Sequence, residues 1–458
     1  MNLRIPSSLQ ALFPPQQQGP VAVRTISTTA APAEIRDQLR INPQVRLQGP
    51  VPSVSVFASQ EINQEIGQES WLQEMQKLKQ VAPSLAELPD FGVTPLRIGV
   101  GIGLQNASFS FEKGQLQVDT PQGTVSLGEF ENARFQISAL PGGFQLKTSE
   151  GKDLGSFEGV LRLESSTGPV SLNGSRYRGS LEIRPHPENP SRFNLINTVM
   201  LEDYLLSVVP SESPASWPIE SLKAQAMAAR TYAVANWRKR EALGFDMNAD
   251  TSDQMYTGIQ GEQPASSEAV KATQNQIIAF QGKPITALFF SSSGGYTDSS
   301  LEVWGVDLPY IQPVKDFDQA APRYRWDKTM TPNQVQAALT KLGLNVGTLH
   351  KIEALETTPQ GRVKQIRFSG STGSVDVDAN KFRFAAGLSS TRWTVAADGQ
   401  PPRSFRFDGG GWGHGLGMSQ WGARQMAADG KNAAEIIHHY YTGVEIQALK
   451  AEETPSGI

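Results

Sequence analysis

The 458-residue chain contains no cysteine and only five histidines. The absence of cysteine excludes cysteine nucleophiles, disulfide frameworks, thiolate zinc sites and iron–sulfur clusters. Only His438 and His439 are close together in the sequence. Because adjacent residues on a helix point about 100° apart, this pair is poorly placed to chelate one metal ion. We therefore predict no metal site.

Charge and hydropathy exclude two further classes of protein. Lys plus Arg total 41 and Asp plus Glu total 45, so the formal net charge of −4 argues against a general nucleic-acid-binding protein. The chain lacks a run of about 18 apolar residues, so we predict no transmembrane segment. The first 30 residues show no intact signal peptide, although the small residues Thr28 to Ala33 are compatible with the remnant of a processed start.

Composition and periodicity predict an α+β fold in four parts. Residues 1–60 are rich in Pro, Gln, Ser and Thr, which is typical of a disordered or tether segment. Residues 61–90 carry an apolar stripe that indicates a helical linker. Residues 95–168 alternate apolar and polar positions between glycines, which predicts a β-rich accessory region. Residues 169–448 form a mixed core that includes a long Ala-rich helix.

The first candidate for chemistry is Glu212, which we predict to lie in a short proline-flanked loop before the Ala-rich helix. A carboxyl close to Trp217 can lose hydration, which raises its pKa toward that of a general acid. Lys223 and Arg230 lie seven residues apart, on one face of this helix, which we expect to reach about Arg240. Spacing alone favours a plainer interpretation, in which Glu212 is a solvated loop acid and the two cations are surface charges.

The second candidate is FFSSSGGYTDSSLEVWG at 289–305, where a strand runs into a turn of serines and glycines. Backbone N–H groups in such a turn can face a ligand, and its hydroxyls suit hydrogen bonding to sugar. A serine nucleophile is the less favoured interpretation, because the chain has no G-x-S-x-G motif.

The third candidate is FDGGGWGHGLGMSQWGARQMAADG at 407–430. Its glycine spacing differs from G-x-G-x-x-G and no βαβ unit follows, so we reject dinucleotide binding. His414 either orients a carboxylate or a substrate hydroxyl, or it belongs to a tightly packed loop that only shapes the fold. The residues alone leave both possibilities open.

Together and in this order, the three segments resemble the SpoIID/LytB family of peptidoglycan-acting proteins. The family signature E-x-P-x-x-W/F-x-x-E-A-L-K-A-Q-A-x-A-A-R-T-Y appears as ESPASWPIESLKAQAMAARTY. The serine-glycine segment appears as SSSGGYTDSSLEVWG, and the C-terminal G-x-G-H-G-x-G-x-S-Q-x-G-A pattern appears as GWGHGLGMSQWGA. The resemblance extends over residues 174–443 and does not cover residues 1–90.

This resemblance implies a peptidoglycan lytic transglycosylase that acts in the cell envelope without a cofactor. Such an enzyme cleaves the MurNAc–GlcNAc bond of peptide-free (denuded) glycan strands and leaves 1,6-anhydro-MurNAc ends, with residues 169–448 as its catalytic domain. The family also contains an amidase enhancer. The alternative is therefore a non-catalytic peptidoglycan-binding activator whose partner is an N-acetylmuramyl-L-alanine amidase.

The resemblance also assigns roles to individual residues. It makes Glu212 the catalytic acid/base, although Ser-Glu-Ser-Pro stands here where the family usually has Gly-Glu-Met-Pro. Asp298 and Glu302 remain as possible second acids, which would allow hydrolysis. Some members bind zinc through Cys and His after the helix, and residues 250–256 contain neither, so we expect no zinc. The expected substrate-binding residues are Lys223, Arg230, Ser292, Gly294, Gly295, Trp412, His414, Ser419 and Gln420.

Overall fold

The computed structural model describes residues 83–449. The strands are β1 Leu96–Leu104, β2 Asn106–Thr120, β3 Gly123–Leu140, β4 Gly143–Thr148, β5 Asp153–Glu158, β6 Val160–Thr167, β7 Val170–Leu172, β8 Ser175–Tyr177, β9 Ser180–His186, β10 Asn189–Val199, β11 Met247–Asn248, β12 Gln276–Phe280, β13 Lys283–Pro284, β14 Phe289–Phe290, β15 Trp326–Met330, β16 Leu349–Thr357, β17 Val363–Gly370, β18 Gly373–Asp378, β19 Trp393–Asp398, β20 Ser404–Gly409, β21 Met418–Ser419 and β22 Glu445–Ala448. The α-helices are α1 Leu201–Glu212, α2 Ile219–Ala235, α3 Pro264–Ala272, α4 Ser300–Trp304, α5 Pro332–Lys341, α6 Ala379–Ala386, α7 Gln420–Ala428 and α8 Ala433–Tyr440.

An 11-stranded sheet occupies the N-terminal part of the described chain, in the order β11-β1-β10-β9-β6-β2-β3-β4-β5, with β7 on β2 and β8 on β7. Alternating apolar residues of these strands form its core, as the period of two predicted. The α+β prediction is confirmed. The predicted boundary at residue 168 falls between β6 and β7 of this one sheet, and the division into accessory and catalytic regions stays a prediction. The predicted 1–60 segment and residues 61–82 of the linker lie outside the described residues.

Helix α1 brings Glu212 to the site, and the sequence did not predict this helix. Pro210 lies inside it, and a proline there removes one helical hydrogen bond. The helix persists because its buried face, which includes Tyr204, Leu205 and Val209, packs into the core beneath the sheet.

Helix α2 lies between two hydrophobic cores and is therefore buried on most of its surface. Ala226, Ala229 and Ala233 contact the core of the large sheet, whereas Ala224 and Met227 contact a second core formed with α7 and α8. Alanine permits this close approach on both sides. The sequence predicts a helix that opens at Pro218 and reaches about Arg240, and α2 begins at Ile219, directly after Pro218, but ends at Ala235.

A short parallel pair of strands joins the two loop motifs of the sequence. Phe289 and Phe290 of β14 pair with Met418 and Ser419 of β21, so the Ser/Gly turn and the Gly-rich loop leave this pair side by side. Residues 418–419 are therefore strand, and the helix predicted to begin at Met418 starts at Gln420.

The remaining strands form a three-stranded sheet β13-β12-β22 behind α2, and two antiparallel sheets, β15-β20-β19 and β16-β17-β18, that enclose a third core with α5 and α6. The sequence predicts a helix over 331–342 with Thr331 as its N-cap, and α5 begins there with the capping box of Thr331 and Gln334. Among the described residues, none of the helices combines the length and apolar character needed to span a membrane.

Candidate functional site

Glu212 is the last residue of α1 rather than a loop residue, which corrects the sequence prediction. Its side chain is half-buried, and its Oε1 accepts a hydrogen bond from the Met255 backbone N–H at 3.1 Å. The Gln420 side chain also hydrogen-bonds the carboxyl group. The acid is thus held between the end of α1, the segment after α2 and the start of α7.

The surroundings of Glu212 make its carboxyl group easier to protonate. Loss of hydration among closely packed protein atoms raises the pKa from 4.5 to about 7, and the hydrogen bonds from Met255 and Gln420 offset only part of this rise. No described ion pair stabilises the charged form. A carboxyl group with a pKa near neutrality can donate a proton and then accept one at physiological pH.

Gln225 is a site residue that the sequence analysis did not single out. It is 1% exposed, and its Oε1 lies 3.5 Å from Gln420 Nε2 and 3.4 Å from Ser213 Oγ. Its Nε2 is buried without a hydrogen-bond partner. The sequence could have indicated Gln225, because it is a glutamine on the alanine-lined, apolar face of α2. A buried amide usually has a specific hydrogen-bond partner.

Lys223 and Arg230, the two cations of α2, form ion pairs with acids other than Glu212. Lys223 Nζ pairs with Glu220 Oε1 at 2.7 Å. Arg230 is fully buried and makes a bidentate contact with Glu202, with both N···O distances at 2.8 Å. None of the described hydrogen bonds of Arg230 reaches Glu212, so its geometry fits the joining of α1 to α2. Their substrate-binding roles stay predictions.

The Ser/Gly turn and the Gly-rich loop are joined by backbone hydrogen bonds. Ser292 and Trp412 exchange two of them, at 3.1 and 2.7 Å, while the Ser292 hydroxyl is buried without a partner. Gly294 has a φ of 80°, and a Cβ at this position would lie 2.8 Å from the carbonyl carbon of Gly410, so only glycine fits. Gly295 also has a positive φ, of 120°, beside Tyr324.

Asp318 lies beneath this turn and was also missed. Its Oδ2 accepts the Gly294 N–H at 2.7 Å. Burial and the neighbouring Asp316 raise the pKa of Asp318 to about 6. An acidic residue after a stretch of apolar and aromatic residues carries no recognisable sequence signal, because its partner is the backbone of a distant loop.

His414 uses both ring nitrogens within the protein. Nε2 donates to the Phe289 carbonyl oxygen at 3.1 Å, and Nδ1 accepts the Leu416 N–H at 3.1 Å. Burial, with Arg383 and Arg362 nearby, lowers the pKa of His414 to about 3, so the imidazole is neutral. This arrangement favours the loop-shaping interpretation that the sequence had left open.

Ser419 and Gln420 begin α7, and only Gln420 contacts Glu212. The buried Ser419 hydroxyl caps the helix by accepting the Gly422 N–H at 3.2 Å.

The two possible second acids, Asp298 and Glu302, are engaged with groups other than Glu212. Asp298 is buried and bonded to the Thr358 hydroxyl, and Glu302 lies 3.6 Å from Lys364. None of their described contacts involves Glu212.

The segment that follows α2 carries a buried acid, Asp253, whose negative charge is paired with two cations. Asp253 is fully buried and pairs with Lys239 at 2.8 Å and Arg240 at 2.7 Å, and these cations lower its pKa despite its burial. Within residues 83–449 there is no group of three His, Cys, Asp or Glu side chains placed to hold a metal ion. The expected absence of zinc stays a prediction.

A cavity of about 220 Å³ is lined in part by His414. Trp304, Arg362, Lys364 and Glu302 line it together with residues of β16 and β17. Glu212 and Gln420 are not among its lining residues, and its mixed charges indicate no particular ligand. The cavity is therefore separate from the surroundings of Glu212.

Comparison with known proteins identifies relatives of the chain. A family model described as Stage II sporulation protein (SpoIID) matches residues 189–280, which contain Glu212 and α2. A model for a domain of unknown function matches residues 307–417. Stage II sporulation protein D of Bacillus subtilis is 31% identical over 273 residues, which are 56% of this chain and 77% of that protein.

Two further relatives extend this comparison. An uncharacterized protein of Brachyspira hyodysenteriae is 31% identical over 298 residues, covering 64% of this chain and 78% of the relative. The amidase enhancer of Bacillus subtilis is 28% identical over 361 residues, which are 67% of this chain and 50% of the enhancer. The chain shares 31% identity with Stage II sporulation protein D over 77% of that protein, and the family model includes the helix of Glu212, so the chain belongs to the SpoIID family.

Proposed function

We propose that the protein is a cell-envelope lytic transglycosylase that acts on the MurNAc–GlcNAc bond of peptide-free glycan strands. Membership of the SpoIID family supports a cell-wall-related function. The observation that carries the enzymatic proposal is Glu212, a half-buried carboxyl group with a pKa of about 7 that is held by Met255 and Gln420.

One such carboxyl group is sufficient for this reaction. Neutral Glu212 protonates the glycosidic oxygen as the bond from this oxygen to C1 of the muramic residue breaks. The resulting carboxylate then accepts the proton of the muramic C6 hydroxyl as O6 bonds to C1. The ring closes as a 1,6-anhydro sugar, no water is consumed, and Glu212 ends protonated. Hydrolysis with two carboxylates would need a second acid beside the scissile bond.

Product analysis of purified protein with peptide-free strands tests this proposal. We expect ends one water lighter than reducing ends, and loss of cleavage in Glu212→Gln with an unchanged melting temperature or a higher one. Glu268→Gln is the matched control, because Glu268 is exposed on α3 and should cleave normally. Reducing ends, or cleavage retained in Glu212→Gln, would rule the proposal out.

The alternative is a peptidoglycan-binding activator of a cell-wall amidase. The observation that favours it is the similarity to a protein named amidase enhancer. Under this alternative, wild type and Glu212→Gln would stimulate an N-acetylmuramyl-L-alanine amidase equally, and neither would cleave glycan.

A further inference from the structure

Two tryptophans and one arginine, from the α1–α2 connection and from α7, form a half-buried platform. The rings of Trp217 and Trp421 meet edge to face, with their centroids 5.1 Å apart. The guanidinium carbon of Arg424 lies 5.2 Å from the centroid of Trp421 and 6.0 Å from that of Trp217. We call Trp217, Trp421 and Arg424 the Trp–Arg platform.

The Trp–Arg platform is adjacent to the acid through one helical turn. Gln420, which contacts Glu212, is the first residue of α7, and Arg424 is four residues further along the same helix. Residues at this spacing lie on one face, about 5–6 Å apart at Cβ. Trp217 lies in the short connection between Glu212 and α2, and its ring contacts Trp421, the residue after Gln420.

Arg424 differs from the two cations expected from the sequence. Lys223 pairs with Glu220, and Arg230 is buried against Glu202. Among the described contacts of Arg424, both go to indole rings and none goes to a carboxylate. Contacts with aromatic faces orient a guanidinium while leaving its N–H donors available to a ligand.

This combination fits a sugar that carries a carboxylate. Indole rings provide an apolar surface for the C–H face of a pyranose, and a guanidinium binds a carboxylate through two parallel hydrogen bonds. A muramic residue without a stem peptide presents such a group, the free lactyl carboxylate. Attachment of a peptide converts this carboxylate into a neutral amide and adds bulk.

We propose that the Trp–Arg platform is the subsite that recognises the free lactyl carboxylate of a muramic residue next to the cleaved bond, with Arg424 as its anion-binding residue. This inference rests on the proposed function for the identity of the glycan. It predicts discrimination against peptide-bearing strands, because these strands lack the charge that Arg424 binds.

Binding measurements in the Glu212→Gln background test the subsite without cleavage. The probes are peptide-free glycan oligomers with intact lactyl carboxylates, and the same oligomers with these carboxyls reduced to alcohols. We expect the intact oligomer to bind about 10- to 100-fold more tightly, the usual effect of a charged hydrogen-bonded pair. Arg424→Gln should abolish this preference and leave affinity for the reduced oligomer within about twofold.

Two matched variants locate the effect. Arg134→Gln changes an exposed arginine of β3 and should keep the full preference. Arg323→Gln changes an arginine that lies 5.9 Å from the Trp412 ring, beside the Gly-rich loop, and should also keep it. Loss of the preference in Arg323→Gln with retention in Arg424→Gln would overturn the proposal.

Folding and function are separated within the same experiment. If circular dichroism shows that Arg424→Gln is unfolded, Arg424→Lys decides: a preference reduced several-fold supports the proposal, and an unchanged preference overturns it. Equal binding of both oligomers by the Glu212→Gln parent also overturns it. Failure of the wild type to cleave either oligomer, with the preference intact, contradicts the proposed enzymatic function but not the subsite.

Discussion

At the scale of single residues, the environment of Glu212 decides what the site can do. Its pKa of about 7 results from loss of hydration that two hydrogen bonds only partly offset. The same carboxyl group in a solvated loop would be ionised at neutral pH and would be a poor proton donor. Function and stability should therefore both depend on pH through this residue.

We predict that cleavage falls as pH rises through about 7, because proton donation requires neutral Glu212. Gln420→Met removes a hydrogen bond that lowers this pKa, so the alkaline limb of the kcat/KM profile should move upward by several tenths of a pH unit. Gln425→Met is the control, because Gln425 bonds Asp429 on the outer part of the same helix. A downward shift in Gln420→Met would contradict the assignment.

We also predict that Glu212→Gln stabilises the protein at alkaline pH. Below pH 4.5 the group is protonated in both folded and unfolded chains, so its burial has no ionic cost. Between pH 4.5 and about 7 the unfolded chain loses this proton more readily than the folded chain, so the folded state loses stability over this range. At pH 8 the variant should exceed the parent by about 1–2 kcal/mol, allowing for partial exposure, and the difference should vanish near pH 4 in urea unfolding curves.

At the scale of secondary-structure elements, one buried ion pair joins the two helices around the site. Arg230 of α2 contacts Glu202 of α1 and also donates to the Val270 and Gln276 carbonyl oxygens of α3 and β12. We predict that Arg230→Met costs about 3–5 kcal/mol, because Glu202 and these acceptors lose their donor. The exposed pair Arg367–Asp376 is the control, and Arg367→Met should cost less than about 1 kcal/mol in the same denaturant titration.

The contact between β14 and β21 requires glycine at position 417. Its φ is 76°, and a Cβ there would lie 2.1 Å from the Leu288 carbonyl oxygen. Gly430 has a similar φ of 87° but open space around it, so Gly430→Ala should cost only about 1–2 kcal/mol for its conformation. We expect Gly417→Ala to cost at least about 2 kcal/mol more, measured by thermal unfolding. Equal losses in the two variants would show that the strand pair tolerates the methyl group.

At the scale of the whole molecule, the described chain has three hydrophobic cores, and α2 lies between the first two. Helix α2 contributes residues to the first two cores, and the groups around Glu212 are held by the packing of α1, α2 and α7. We predict that EDTA changes neither the melting temperature nor the rate of glycan cleavage. A decrease in either that zinc restores would reveal ligands that the sequence and the described residues do not indicate.

Local sequence was sufficient where the relevant interactions are local. The Ala-rich start of α2, the Thr331 cap and the Gln334 box of α5, and the alternation in the large sheet all follow from neighbouring residues. The order of the three motifs was likewise enough to identify the family and to point to Glu212. These features need no knowledge of which distant segments meet.

Tertiary structure decided what those residues experience. Pro210 argued against a helix that packing nevertheless maintains, so Glu212 ends α1 instead of occupying a loop. Its pKa depends on Met255 and Gln420, which come from distant parts of the chain. The ion pair between Arg230 and Glu202 also joins residues that are distant in the sequence, because Glu202 belongs to another helix. Hydration and charge pairing depend on neighbours in space, and spacing along the sequence does not specify them.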